Sequence, residues 1–575
     1  MTRASLLLLV VVGVLVACGA PHGRTDSTTG DDRVPLRHEE RLPIVISIVG
    51  TNDLHGHVQR VAVLSGYVRN LRAARGRAPG GVLLLDGGDM FQGTIESNMH
   101  EGRAVVEAYA IVGYDAVAVG NHEFDFGPVG PAMTPDGADG DPRGALLARA
   151  EQASFPFLLA NVVLAETGQR PDWPRIVPTA MIDVAGVRVG LIGLTTADLL
   201  TMTIAENVRD LRVLPLAETA ERHARALREA GASVVVVVAH AGGKCASFDD
   251  PDDLSSCEPD HEAFELARAL APGLVDAIVA GHTHRAVAHR VNGVAIVESY
   301  ALGRAFGRVD LTVSPISGRV ADVRVHPPHE ICHDPEATIE DCRPGEYEGA
   351  AVEPDERVLA AIADELDEAR GIRERPAGVT VEARIERGRR GESALGNLIA
   401  DLILAARPAA DVAIMNAGGL RSDLRQGELT YGDFYETFPF DNRFALVRTT
   451  VGRLAELYAR VLSGDGSFMS IAGARVRARC DGGALRVEIL RPNGRPWPAT
   501  RSITVAMSDF LATGGDSVVF AGARVDVGGG GPMRDALFEV LRVRGGTLRP
   551  ADLVEPERPR VVLPGERPVR CHATE

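Results

Sequence analysis

Asp53-Leu54-His55, Gly88-Asp89, Asn121-His122, His240 and His282-Thr283-His284 stand out in the first half of this 575-residue chain because each offers a metal ligand. Carboxylate, imidazole and amide groups in combination suit divalent ions of borderline softness. Singly these motifs say little. An Asp-x-His is usually a solvated turn, a Gly-Asp after a strand is usually a cap, and a histidine at a strand end is usually a satisfied polar residue. The set gains weight from its order, since every member follows a short apolar run. Ligands delivered in this way to one rim have the layout of a two-metal hydrolase, in which cations about 3.5–4 Å apart hold the oxygens of an ester during displacement.

The elements that must position these residues are the runs themselves, at 43–50, 81–85, 115–119, 233–239 and 275–280. Each reads as a buried strand, so the ligands fall where strands stop, the edge at which open α/β sheets bind ligands. Helical composition at 220–230 and 262–271 precedes two of them, and later strands are expected at 294–298, 307–313 and 319–325. A Gly/Pro/Asp-rich loop spans 131–144. Residues 327–354 are rich in Pro, Glu and Asp and read as an exposed insertion or interdomain segment. A helix over 353–370 follows, with Val358, Leu359, Ile362 and Leu366 on one face. Beyond it a second domain shows a helix at 397–406 and a strand at 411–416 opening into Ala417-Gly418-Gly419. Strands at 484–490 and 502–507 are expected to pair around the turn signal Pro492-Asn493-Gly494. Residues after about 556 read as a tail.

Length points to two large domains with room for a third. A formal charge of −17 argues against a nucleic-acid polymer as partner. It does not argue against a small anionic substrate, because a metal pair overrules the global sign locally. Arg3 precedes an apolar run at 6–16 that is too short to span a bilayer and fits a signal-peptide core. Leu15-Val16-Ala17-Cys18 resembles the bacterial lipoprotein cleavage box. Residues 1–17 are therefore read as a signal peptide, Cys18 as the lipid-anchored residue and 18–42 as a flexible tether, with the protein exported to the periplasm or cell surface. Six further cysteines allow several connectivities, and proximity favours Cys245–Cys257, Cys332–Cys342 and Cys480–Cys571.

Together the ligand motifs resemble a calcineurin-like metallophosphoesterase domain. Gly88-Asp89-Met90-Phe91-Gln92-Gly93-Thr94 and Asn121-His122-Glu123-Phe124-Asp125 narrow the resemblance to the 5′-nucleotidase/UDP-sugar hydrolase family. That resemblance implies an α/β protein: a four-layer αββα sandwich at 43–326, an insertion and connecting helix at 327–375, a smaller α/β nucleotide-specificity domain at 376–556 and a tail at 557–575. It implies two divalent ions, Zn²⁺ or Mn²⁺ ahead of Mg²⁺ or Co²⁺. Asp89 would bridge them, with Asp53, His55 and His284 on the first and Asn121, His240 and His282 on the second. Water bound between such cations ionises near neutral pH. His122 would form a dyad with Asp125 that steadies charge on the phosphoryl group.

The second domain would choose the substrate. Asn416-Ala417-Gly418-Gly419-Leu420-Arg421 resembles the family's Asn-x-Gly-Gly-x-Arg loop, and Phe440 and Phe510 its aromatic clamp, with Asp516 for the ribose. Arg389 is read as a further substrate-binding arginine, with Arg390 its close competitor. The implied activity is hydrolysis of nucleoside 5′-monophosphates, extending to diphosphates or UDP-sugars. A 2′,3′-cyclic nucleotide phosphodiesterase, a sulfur-ester hydrolase and a non-catalytic nucleotide-binding lipoprotein are the alternatives. Because base site and metals fall on different domains, a hinge is expected near 353–370.

Overall fold

The computed structural model describes residues 42–571 apart from 131–133, 136–139, 335–336, 521 and 529–530. The expected signal peptide, Cys18 and all of the expected tether but Leu42 lie outside the described residues.

All five apolar runs are strands: β1 (Ile44–Thr51), β2 (Gly80–Asp86), β3 (Ala116–Ala118), β4 (Val234–His240) and β5 (Ala277–Ala280). Five of the seven residues of β4 are valine, a side chain that packs well on both faces of a buried sheet. One seven-stranded sheet runs in the order Val320–Glu330, Ala305–Val313, β1, β2, β3, Phe157–Leu158, Ile176–Val177. A six-stranded sheet runs Ala286–Val291, Val294–Ser299, β5, β4, Val187–Thr195, Thr179–Val184. Strands β1, β2 and β3 are parallel neighbours, as are β4 and β5.

Period-two alternation sorts the core into layers. Ile46 and Ile48 of β1, Leu83 and Leu85 of β2, and Val234, Val236 and Val238 of β4 share one cluster between the sheets. Val49 and Leu84 face outward under the helices Gln59–Arg75 and Arg103–Val112. Val235 and Val237 face the helices Leu216–Glu229 and Glu262–Ala269. The result is the four-layer αββα sandwich. In register, Thr51 of β1 lies beside Asp86 of β2, and Ala239 of β4 beside Ala280 of β5, so neighbouring strands stop level and their ligands share a rim.

The connecting helix differs from the expectation. It breaks at Ile362 into Glu356–Ala361 and Ala363–Arg373. Val358 and Ile362 bury against the N-terminal core, whereas Ala369 belongs to the C-terminal core. Arg373 then pairs with Glu96 on the sandwich side and with Glu436 on the other, at 2.6 and 2.7 Å. Residues 327–354 are also less detached than their composition suggests. The strand expected to end at 325 runs on to Glu330, and Ile331, Cys332, Cys342 and Val352 join the N-terminal core.

The C-terminal domain has a five-stranded sheet in the order Met469–Ala472, Val412–Asn416, Ser502–Ser508, Phe444–Thr450, Arg524–Val527. Ala413 and Met415 pack toward the helix Ala394–Ala406, while Val412 and Ile414 pack toward the helix Val451–Ser463. The expected pairing of 484–490 with 502–507 does not form. Ala484–Leu490 pairs instead with Arg475–Asp481, and Ser502–Ser508 enters the five-stranded sheet. The turn at Pro492-Asn493-Gly494 is real, but it folds Leu490 back only as far as Pro496. Residues beyond 556 are fastened rather than trailing: Val561–Val562 adds to the strand Arg475–Asp481, and Cys571 bonds Cys480. Cys245–Cys257 and Cys332–Cys342 are the other two disulfides, as proximity suggested. No helix among the described residues is long and apolar enough to cross a membrane.

Candidate metal centre and substrate cleft

The candidate ligands sit on tight turns directly after the strands, except His240, which is the last residue of β4. Asp53, His55, Asp89, His282 and His284 all have positive φ, between 48° and 87°. Non-glycine residues hold such a backbone only where the surroundings over-determine it, which is common at functional sites. Buried acids brace the turns. Glu123 accepts the backbone N–H groups of Asp89, Met90 and Gly120. Glu298 accepts from Thr283 Oγ1 and from the Gly243 N–H, fixing the His282–His284 loop. Asp86 accepts from Thr51 Oγ1, Tyr109 Oη and the Gly88 N–H. Burial pushes the carboxyls of Glu123 and Asp86 up, to about 7 and about 6.

Two groups of ligand atoms result, Asp53/His55/His284 and Asp89/His240/His282, each with its donors within 4.8 Å of one another. His55 Nε2 lies 3.0 Å from His284 Nε2, and His240 Nε2 lies 3.0 Å from Asn121 Oδ1 and 3.1 Å from His282 Nδ1. Asp89 joins the groups. Its Oδ1 accepts the His122 N–H, while Oδ2 stands 3.0 Å from His240 and 4.0 Å from His55. A Cβ on Gly120 would come within 2.2 Å of that carboxylate, so only glycine fits behind it.

The donor set fits divalent cations. His55 and His240 direct Nδ1 to the carbonyls of Gln92 and Gly87, which leaves Nε2 of each as an inward lone pair. Asp53 Oδ2 is held by Asn52 and the His282 N–H, and Oδ1 points inward, buried, with no hydrogen-bond donor aligned on it. Burial and the charge of Arg421 hold His55 well below the usual imidazole range; burial and His240 hold His282 at about 3. Burial works against protonation of His240 too, but Asp89 overrides it and raises the ring to about 10.

Beside the second group, His122 Nδ1 meets Asp125 Oδ2 at 2.5 Å. Burial opposes the charged ring, yet Asp125 and Asp89 together raise its pKa above the ordinary value. A cleft opens here, lined by His122, Asp125, Asn416, Arg421, Phe440, Phe510 and Asp516. Asn416 Nδ2 donates to Asp516 Oδ2 at 2.8 Å. The Phe440 ring is 5.6 Å from the His122 ring, and Phe510 is backed by Gly515, where a Cβ would come within 2.5 Å of the ring. Arg421 crosses from the second domain to within 3.1 Å of His55 Nε2 and 3.3 Å of His284 Nε2.

Arg389 is not among the residues lining this cleft, but its charge reaches His284. It stands next to Arg285, Arg387 and Arg421, and partial desolvation with those charges pushes its pKa down to about 10. Arg387, which the sequence did not single out, donates to the carbonyls of Leu420 and Arg421 and so shapes the Gly-Gly loop.

Two family models match. Residues 46–286 match the calcineurin-like phosphoesterase model and residues 375–522 the 5′-nucleotidase C-terminal domain, in the order the two halves of the site require. The chain belongs to the 5′-nucleotidase family. This member is a metal-dependent phosphohydrolase. It is 28% identical over 524 residues to Protein UshA of Yersinia enterocolitica, covering 82% of this chain and 86% of that one. Among solved structures, a 5′-nucleotidase precursor from Thermus thermophilus superposes with a TM-score of 0.68 at 23% identity, covering 90% of this chain and 99% of that chain. A sulfate thiohydrolase, SoxB, from the same genus superposes nearly as well, with a TM-score of 0.66 at 18% identity over 92% and 98%. Fold alone therefore does not separate phosphate from sulfur esters in the 5′-nucleotidase architecture.

The sequence reading missed the residues that brace this nucleotidase site. Glu123 lay inside a quoted motif and carried that signal. Asp86 stands in the cluster Asp86-Gly87-Gly88-Asp89 that closes the second apolar run and accepts from Gly88 two residues on, whereas Glu298 carried no signal, because Gly243 and Thr283 are distant from it in sequence.

Proposed function

We propose that this protein is an exported phosphohydrolase that cleaves nucleoside 5′-monophosphates to nucleoside and phosphate, with diphosphates or UDP-sugars as further substrates. The observation that carries the reading is the shared cleft: His122 and Asp125 line the same space as Phe440, Phe510, Asn416 and Asp516. When bound, a pair of divalent ions, Zn²⁺ or Mn²⁺ ahead of Mg²⁺ or Co²⁺, supplies Lewis acidity and an activated water for in-line attack on phosphorus. Asp53, His55 and His284 would hold one ion and Asn121, His240 and His282 the other, with Asp89 contributing to both. His122 donates toward the phosphoryl oxygens as charge develops, and Asp125 fixes its tautomer. Arg421 pairs with the phosphate. A base stacks between Phe440 and Phe510, and Asp516, oriented by Asn416, accepts from the ribose hydroxyls. Arg389 contributes a second cation at the margin of the site.

In this reading the domains divide as 43–326, 327–375 and 376–556, with 1–17 a signal peptide and Cys18 a lipid anchor to a bacterial membrane. Three disulfides are consistent with an oxidising compartment. Labelled palmitate incorporated by the parent chain but not by Cys18→Ala would support the anchor; equal labelling would remove it.

The activity is tested with a panel of AMP, UDP-glucose, 2′,3′-cyclic AMP, a sulfur ester and p-nitrophenyl phosphate, each with Mn²⁺, Zn²⁺, Mg²⁺ or chelator. AMP should give the highest kcat/KM and chelator should abolish it. A cyclic nucleotide or sulfur ester ahead of AMP would overturn the assignment, and undiminished turnover in chelator would overturn the metal chemistry.

A further inference from the structure

Two short helices, Leu199–Met202 and Ala205–Val208, follow the strand Val187–Thr195 and strap the Asn121–Asp125 segment from the cleft side. Three hydrogen bonds make the strap. Asn121 Nδ2 donates to the Met202 carbonyl at 3.0 Å, Thr203 Oγ1 donates to Asp125 Oδ1 at 2.7 Å, and Asn207 Nδ2 donates to the Phe124 carbonyl at 2.9 Å. Met202, Thr203 and Ile204 also line the cleft, and the helix Leu199–Met202 packs against the turn Gly515–Ser517 that carries Asp516.

Each contact has an orienting consequence. An amide has one donor end and one acceptor end. With Nδ2 engaged by Met202, Asn121 must present Oδ1 to His240, the arrangement a metal ligand requires. Asp125 divides its two oxygens in the same way, Oδ2 to His122 and Oδ1 to Thr203. Thr203 is 1% exposed, so no bulk water competes for that oxygen. Removing the hydroxyl would leave a buried carboxylate oxygen without its donor and free the group to rotate away from the imidazole.

We propose that Thr203 is a positioning residue of the phosphohydrolase: its hydroxyl locks the Asp125 carboxylate, and through it the His122 ring, in the orientation that meets the phosphoryl group. The inference rests on the reading of His122 and Asp125 as the reacting dyad, but not on the identity of the nucleoside. Thr203 has an extended backbone (φ −137°, ψ −178°) that valine and serine adopt without strain, and valine keeps its shape while losing the donor.

The test measures kcat and KM for p-nitrophenyl phosphate in Mn²⁺ with Thr203→Val, Thr203→Ser, Asp125→Ala, His122→Ala and the Thr203→Val/Asp125→Ala pair, alongside bound metal and the thermal midpoint. Thr203→Val should lower kcat roughly tenfold to a hundredfold with KM within about twofold of the parent, the size of a lost hydrogen bond to a charged group. Serine should restore most of it. In the Asp125→Ala background the valine substitution should cost nothing further, because the partner is already gone. Should the valine variant fail to fold, alanine against serine carries the same comparison, with serine active and alanine impaired. An unchanged kcat in Thr203→Val, a serine variant as poor as valine, or an undiminished effect without Asp125 would each overturn the proposal. If His122→Ala keeps full turnover, the dyad reading itself fails; if it loses turnover while Thr203→Val does not, only the role of Thr203 fails.

Discussion

The metal rim and the substrate cleft adjoin, yet they are built differently. The rim comes from the level ends of five strands, its turns held by buried acids and its carboxylates almost fully enclosed, Asp53 at 0% and Asp89 at 1% exposure. The cleft is assembled from loops of two domains, with its aromatic rings half-exposed and its far wall supplied by Met202 and Ile204. A rim of that kind tolerates little change, because its ligands depend on strand ends and, for Asp53, His55, Asp89, His282 and His284, on strained turns held by buried acids. Loops that touch only at their tips can change side chains without disturbing the sheets. One chemistry with exchangeable substrates is what such a division favours.

The sharpest way to break the contrast is at Asp89. Asp89→Ala should lower kcat by about a thousandfold or more on every substrate, since several kcal/mol of transition-state stabilisation passes through the metal pair. Metal bound per chain should fall in parallel; a variant that keeps both ions would sever the two halves of that prediction. His122→Ala should cost about a hundredfold to a thousandfold in kcat with metal content unchanged, the usual range for a lost charge-stabilising donor. Phe440→Ala should act on the other side of the contrast. Losing one stacking partner, worth roughly 1–3 kcal/mol, should raise KM for AMP while sparing p-nitrophenyl phosphate. Equal losses on both substrates would show that Phe440 serves the His122 ring beside it rather than a base. Arg373→Ala, at the joint between domains, should have the smallest effect on turnover. Its guanidinium is 35% exposed but its partner Glu96 is buried, so the loss should be about 1–3 kcal/mol of stability, read as a drop in thermal midpoint with the metals and turnover retained.

The same contrast governs what could be read from the chain. The rim was legible because each ligand follows its own strand directly, so local hydrophobicity and the ligand type lie within a few residues of one another. The four layers were legible for the same reason, as in β4, whose valines alternate between two clusters. Braces were not. Glu298 acts on Thr283 and Gly243, and Thr203 on Asp125, through contacts that exist only after folding. The turn at Gly494 is a local signal that does not reach the next strand: Ser502–Ser508 is claimed by the central sheet of its domain, so 484–490 and 502–507 do not pair. Arg389 follows from the motif and acts on His284 through its charge, while the arginine that holds the Gly-Gly loop is Arg387, two residues earlier, which the motif does not mark.

The most direct test of the central claim is anomalous diffraction from crystals of the protein grown with Mn²⁺. Two peaks roughly 3.5–4 Å apart are predicted, with a carboxylate oxygen of Asp89 between them. A single peak, or a pair in which Asp89 touches neither ion, would contradict the account.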